Sequence, residues 1–233
     1  MSEGKCFICG NKISRKGAIR HIKSCLAKNM KDEPRTLLYQ IFITDVEFPE
    51  YWLIIEMRGD AILEHLDMFL RDIWVECCGH LSEFIIAGKH YEPKRQMEYR
   101  LGFTPYDIES MDIPIREVLN IGTRFRYIYD FGTTTELELK VISTRMGSIR
   151  KNIRLLARNY PPKRKCAYCG EEAEYLCGYC LHERDEVVYL CKKCLNRHRH
   201  ENYGPIKLVN SPRLTKCGYE ESPLVKIFRL YEY

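Results

Sequence analysis

No stretch of this 233-residue sequence approaches the roughly eighteen consecutive apolar residues of a membrane-spanning helix. The chain opens MSEGKCFICG with no apolar signal stretch, so the expectation is a cytoplasmic protein with no membrane partner. The motifs that announce common enzyme chemistries are also missing. There is no Walker lysine motif, no dinucleotide glycine fingerprint and no nucleophile elbow. An enzyme acting on nucleic acid would have to draw on His80, His90, Asp130 and Glu136, none of which has a recognisable acid-base or nucleophile spacing. A lone histidine beside a strand reads as structural, and Asp130 before Phe131-Gly132 suits a turn. No catalytic residue is assigned. Internal repeats and low-complexity tracts are absent as well.

Cysteine is what the chain has in plenty: twelve residues, nine of them in two arrays. The C-terminal array runs Cys166-x2-Cys169-x7-Cys177-x2-Cys180-x10-Cys191-x2-Cys194-x3-His198-x-His200. Eight soft or borderline donors at this spacing suffice for two tetrahedral zinc ions, each Cys-x-x-Cys pair gripping one ion from a tight knuckle. Reduced cytosol favours thiolates on metal over disulfides. We expect a cross-brace, with Cys166, Cys169, Cys191 and Cys194 on one ion and Cys177, Cys180, His198 and His200 on the other. Sequential wiring stays open, as does a substitution of His182 or Cys217 for a final histidine. The N-terminal array, Cys6-x2-Cys9-x11-His21-x3-Cys25, approximates a CCHC-type finger, with Ile13 and Ile19 placed to pack its single helix on the knuckle. About three zinc ions per chain follow from the ligand count. The other cysteines, Cys77, Cys78 and Cys217, read as packing residues; Cys77-Cys78 follow Trp74-Val75 at the end of a core helix.

The net charge of +5 hides a segregation: residues 1–33 carry +5, residues 34–144 carry −8, residues 145–200 carry +7 and the remainder +1. Basic ends around an acidic middle favour an anionic partner at the ends. Candidate phosphate-contacting residues are Arg15, Lys16, Arg20 and Lys23 in the finger, Arg150, Lys151, Arg154 and Arg158 in the following basic stretch, and Lys163, Arg164 and Lys165 in the linker. Lys192, Lys193, Arg197 and Arg199 surround the last knuckle.

The chain divides into a CCHC finger with a polar connector closed by Pro34 (1–33), a central α+β domain (34–160), and a two-zinc module with a tail (161–233). In the centre, residues 36–44 and 52–57 are β-branched and apolar, two strands joined by a turn around Pro49. Asp60 can cap a core helix carrying Ile62, Leu66, Phe69, Leu70 and Ile73. Residues 83–87 read as a strand, and Pro114 opens a short helix that Gly122 stops. Alternation at Phe125, Tyr127, Tyr129 and at Leu137, Leu139, Val141 around Phe131-Gly132-Thr133-Thr134 predicts a hairpin with one buried face. Ser148 followed by Ile149, Ile153 and Leu156 reads as a capped helix with a basic outer face, ended by Pro161-Pro162.

The segments YIYDFGTTTELELKV (Tyr127 to Val141), GHLSEFIIAGKHYE (Gly79 to Glu92) and VNSPRLTKCGY (Val209 to Tyr219) resemble the plasmid pRi ORF-three-like family, also labelled mobile-element passenger, TnpR-like. The resemblance covers roughly residues 35–160, with a cysteine-rich module added after it. It implies a prokaryotic α+β domain without an established reaction, often encoded near mobile elements. Where that family places a second histidine after His-Leu, this chain has His80-Leu81-Ser82. The expectation is a zinc-binding, non-catalytic adaptor that binds nucleic acid through its basic modules; the alternative is a protein-interaction scaffold built on the cross-brace module.

Overall fold

The computed structural model describes residues 2–30, 33, 35–98, 107–217 and 219. Part of the connector closed by Pro34 lies outside them. The fold is α+β: a ten-stranded mixed sheet with helices on its faces, and a three-stranded sheet in the cysteine-rich module.

The chain starts with strands β1 (Glu3–Cys6) and β2 (Lys12–Ser14) and helix α1 (Arg15–Asn29). The Ser14 hydroxyl caps α1 by accepting from the Gly17 N–H at 3.3 Å. Ala18, Ile22, Cys25 and Leu26 make its buried stripe at helical spacing. Strands β3 (Thr36–Asp45) and β4 (Trp52–Arg58) pair antiparallel across the turn at Pro49, as the sequence predicts. Helix α2 (Leu63–Leu70) buries Leu63, Leu66, Phe69 and Leu70 and runs into a single π-helical turn at Arg71–Val75. It starts later than expected, because Asp60 is engaged by Arg58 at 2.6 Å instead of capping it.

Strands β5 (Ser82–Ile86) and β6 (Lys89–Glu92), the one-turn helix α3 (Lys94–Met97), strand β7 (Ile108–Ser110) and the one-turn helix α4 (Ile115–Val118) follow. Then come β8 (Arg124–Tyr129), β9 (Thr135–Gly147) and β10 (Ile153–Asn159). β8 and β9 form the expected hairpin, its buried residues alternating along both strands. The cysteine-rich module comprises β11 (Tyr175–Cys177), α5 (Gly178–Arg184), β12 (Tyr189–Leu190), α6 (Lys192–Leu195) and β13 (Pro205–Lys207), and α7 (Leu214–Cys217) ends the described chain but for Tyr219.

The order across the large sheet is β2-β1-β10-β4-β3-β9-β8-β5-β6-β7, antiparallel except for the β6/β7 pair. One expectation is overturned by this order. Residues 148–160 are not a helix: Ile153–Asn159 form a strand between β1 and β4, so Arg154 and Arg158 belong to a sheet. The finger is also joined to the large sheet directly, since β1 hydrogen-bonds β10 with Gly4 opposite Asn159 and Cys6 opposite Ala157.

Alternation along the strands separates two cores. Leu53, Ile55 and Met57 of β4 pack with α2, whereas Trp52 and Ile54 pack with Ile22, Cys25 and Leu26 of α1 on the opposite face. On the α1 face the carboxylate of Glu56 is fully buried, bound by Arg145 (2.7 and 2.9 Å), Arg154 (2.5 Å) and Gln40 (3.2 Å).

Candidate metal centres

All twelve cysteines are unpaired by disulfides, and the described residues contain four clusters of Cys and His whose ligand atoms lie within 4.8 Å of one another. Three are the expected sets: Cys6, Cys9, His21 and Cys25; Cys166, Cys169, Cys191 and Cys194; and Cys177, Cys180, His198 and His200. The interleaved grouping of the last two is the cross-brace. His182 belongs to neither and packs against Tyr203 instead.

Each set has local causes. In the finger, Cys6 ends β1, and Gly10 follows Cys9 in the left-handed region (φ 79°) so that its N–H can donate back to the Cys6 carbonyl at 2.9 Å. His21 and Cys25 come from successive turns of α1, four residues apart and therefore on one face. Cys166, Cys169 and Gly170 repeat the knuckle, with Gly170 at φ 75° and its N–H donating to the Cys166 carbonyl at 3.0 Å. The C-terminal pairs are brought together because β11 sits between β12 and β13, which carries Cys177 to one edge and the Cys191-Cys194 turn to the other end. Around the two sites Cys166, Cys177, Cys180 and Cys191 are buried with Leu190, and Leu176, Leu181 and Leu214 form a second small cluster beside them.

The interatomic distances have a common physical meaning. A disulfide would put two sulfurs about 2.05 Å apart. Two thiolates about 2.3 Å from a shared tetrahedral ion lie ~3.8 Å apart, a thiolate and an imidazole ~3.5 Å, and two imidazoles ~3.3 Å. Observed separations are 3.9 Å for Cys6–Cys25, 3.6 Å for Cys169–Cys191, 3.4 Å for Cys9–His21, 3.3 Å for Cys180–His198 and 3.1 Å for His198–His200. These separations fit the edges of a coordination tetrahedron.

The titration behaviour agrees with shared donors. Burial, together with the neighbouring thiols, pushes Cys25 up to about 12. Burial and Cys177 push Cys180 up to about 11. Burial opposes ionisation of Cys166 too, but backbone N–H groups of Cys191, Tyr168 and Cys169 bring it down to about 6. Burial and the adjacent His200 hold His198 below its ordinary value, which favours the neutral ring a cation needs.

The fourth cluster, Cys77, Cys78, His80 and Cys217, was not foreseen. Cys77 is partly buried and packs against the main core as the packing reading expects, but Cys78 is exposed, and α7 carries Cys217 to it with a sulfur-sulfur distance of 3.9 Å. The sequence signal available for it was a Cys-Gly step at Cys78-Gly79, like those at Cys9-Gly10 and Cys169-Gly170.

Three of the four residues weighed for catalysis make other contacts, and His80 belongs to the fourth cluster. His90 contacts the buried Glu83 at 2.7 Å, Glu136 pairs with Arg126 at 3.1 Å, and Asp130 is bound by Arg213 at 2.5 Å. Of the candidate phosphate contacts, Arg154 is committed to Glu56, Arg158 donates to the Asn210 carbonyl at 2.5 Å, Arg164 pairs with Glu50 at 2.9 Å, and Arg15 lies over Phe42. Lys163 makes an exposed pair with Glu172 at 3.4 Å. Arg150, Lys151 and Lys165 are exposed. Lys16, Arg20 and Lys23 are exposed at i, i+4 and i+7 on the outer face of α1, with no ion pair among the described residues.

No family model matches this sequence, and no curated protein matches it. Among solved structures, a protein of unknown function from Methanosarcina mazei Go1 aligns at 13% identity with a TM-score of 0.44, covering 53% of this chain and 70% of that one. No helix among the described residues is long and apolar enough to cross a membrane.

Proposed function

We propose that this chain is a zinc-stabilised, non-catalytic adaptor that holds nucleic acid by its phosphates. The observation that carries the reading is the pairing, on α1, of a donor face with a phosphate face: His21 and Cys25 point into a four-ligand cluster while Lys16, Arg20 and Lys23 face solvent without carboxylate partners among the described residues. Zinc is the ion favoured by tetrahedral sets of thiolate and imidazole donors. Four protein donors fill a tetrahedron and leave no position for a reacting water, so such ions support structure and not Lewis-acid chemistry. The exposed Lys192, Lys193, Arg197 and Arg199 extend the basic surface of the C-terminal module. Contacts of this kind position a nucleic acid without reading its bases. The interleaved C-terminal sites favour a second reading, a protein-docking scaffold, because a cross-brace presents a rigid small surface.

Binding of the full chain to fluorescent single- and double-stranded DNA and RNA across a salt series tests this. The expected result is an affinity falling log-linearly with salt, with the slope reduced by about three when Lys16, Arg20 and Lys23 are replaced by alanine together. A flat salt dependence, or no binding to any of the four probes, would overturn the nucleic-acid reading.

A further inference from the structure

We propose that Cys77, Cys78, His80 and Cys217 form a fourth metal centre for a zinc-class divalent cation, which fastens the C-terminal segment to the large sheet, with Asp130 as the residue that positions His80. The inference rests on the zinc assignment of the other three clusters for its choice of ion, but its geometry is its own.

Three donors come from the loop after the π-helical turn and the fourth from α7, 139 residues further along the chain. The Cys78–Cys217 distance of 3.9 Å is the edge expected for two thiolates about 2.3 Å from one ion. The loop is held in shape without the ion. Tyr129 Oη accepts from the N–H groups of Cys77 (3.4 Å) and His80 (3.3 Å) and donates to Glu76 Oε1 at 2.9 Å. Gly79 adopts φ 72°, the conformation taken by Gly10 and Gly170 after the second cysteine of their knuckles. Its N–H donates to the Glu76 carboxylate at 2.6 Å, where those two donate to a cysteine carbonyl.

The tail is positioned just as firmly. Arg213 is fully buried, donating to Asp130 Oδ2 (2.5 Å), the Thr133 carbonyl (2.7 Å) and Cys77 Sγ (3.2 Å), with its guanidinium over the Tyr129 ring. Ser211 donates to the Trp74 carbonyl at 2.5 Å, and Asn210 and Asn159 bond reciprocally at 2.8 Å.

Asp130 links the two halves. It sits at φ 65°, its Oδ1 accepting from the N–H groups of Gly132 (3.0 Å) and Thr133 (3.3 Å). Its Oδ2 faces both Arg213 and His80 Nε2, the latter at 3.6 Å. His80 Nε2 is buried and has no hydrogen-bond partner among the described residues. With that nitrogen turned to a carboxylate, Nδ1 is left for the cation, the carboxylate–histidine–metal arrangement that fixes a ring's tautomer and raises its basicity.

The test is metal counting on the reduced full chain, purified with zinc and again with cobalt. Four ions per chain are expected, falling to three in Cys217→Ser and in Cys78→Ser, variants that leave Arg213 and Asp130 in place. Cobalt-thiolate absorption should fall in step. Asp130→Asn should keep four ions but release one to a competing chelator about 10–100-fold more readily. Three ions in both wild type and Cys217→Ser would overturn the fourth centre and leave the zinc adaptor reading standing, whereas no bound metal in any of them would sink both. A Cys78–Cys217 disulfide found by mass spectrometry in place of the fourth ion would also overturn it.

Discussion

Gly4 lies against the backbone of Arg158 so closely that a Cβ at residue 4 would stand 2.2 Å from the Arg158 carbonyl oxygen and 2.7 Å from the Trp52 ring. The contact welds the finger to the sheet. Around it, the Phe7 N–H donates to the Leu156 carbonyl, the Tyr160 N–H donates to the Glu3 carbonyl, both at 2.8 Å, and Trp52 Nε1 donates to Ser2 Oγ at 3.1 Å. Backbone cannot give way as a flexible side chain would, so Gly4→Ala must push β1 off β10. The expected cost is about 1–3 kcal/mol, typical of overpacking. It should be visible as a lowered Tm and faster amide exchange confined to β1, β2 and α1. Unchanged exchange in those elements would mean that the finger is held by its metal alone.

Metal removal should act unequally on the two ends. The C-terminal module has only two small apolar clusters among the described residues, one of four cysteines around Leu190 and one of Leu176 and Leu181 against Leu214, so without cations little holds its thiolates together. α1, by contrast, shares an apolar core with Trp52, Ile54, Ile142, Leu156 and Ala157 of the sheet. A chelator strong enough to strip zinc should therefore release residues 166–200 to free exchange while β3, β4, β8 and β9 stay protected and α1 exchanges only moderately faster. Structural zinc in peptide modules supplies on the order of 10 kcal/mol, more than such a core can replace. Equal loss of protection in α1 and in the module would contradict this order of stabilities.

The parts of this fold that were legible in the sequence are those with one dominant period. β8 and β9 alternate cleanly because one face of that hairpin is buried. β10 carries a helix-like pattern for a physical reason. It lies in the sheet interior between β1 and β4 with Leu155, Leu156 and Ala157 all buried, and a register shift between Leu155 and Ala157 breaks the two-residue period. What remains is the spacing Ile149, Ile153, Leu156, which mimics a helix. Its arginines looked like an exposed basic face, whereas Arg154 faces the buried Glu56. The metal ligands were legible where the chain repeats Cys-x-x-Cys. The fourth cluster was not, since its cysteines are adjacent in one place and far away in the other, and the docking of Asn210, Ser211 and Arg213 brings them together.

Glu56 tests how the α1 face is held. A fully buried carboxylate between Arg145 and Arg154 offsets two guanidinium charges that have little water around them. Removing one partner of a buried ion pair costs about 3–5 kcal/mol, because the remaining charge is left uncompensated. Glu56→Ala should fall in that range by denaturant unfolding. Glu56→Gln, which keeps the shape and the acceptor for Gln40 but not the charge, should lose a smaller part. If Glu56→Gln were as stable as wild type, the network would contribute through shape and hydrogen bonding alone.

Asp45 gives a pH dependence of opposite sense to the usual carboxylate. It ends β3 fully buried, Oδ1 accepts from the Phe48 N–H at 2.6 Å, and Oδ2 is without a partner among the described residues. Burial pushes its pKa up to about 6 against an ordinary 3.8, despite the opposing Phe48 hydrogen bond and the attraction of Lys216. Between those two values the folded state holds a proton that the unfolded state has released, so stability is greatest below the lower value and falls as pH rises toward the upper one. Two pKa units correspond to about 3 kcal/mol of that loss by neutral pH. Asp45→Asn keeps an oxygen for Phe48 and carries no charge, so it should be more stable than wild type at pH 7 and nearly equal to it near pH 4. The difference between the two proteins is the quantity to measure, by denaturant unfolding from pH 4 to pH 8, because proton competition for the metal ligands is common to both and cancels. A wild type that gains stability relative to Asp45→Asn as pH rises would show that Asp45 is ionised and favourably paired in the fold.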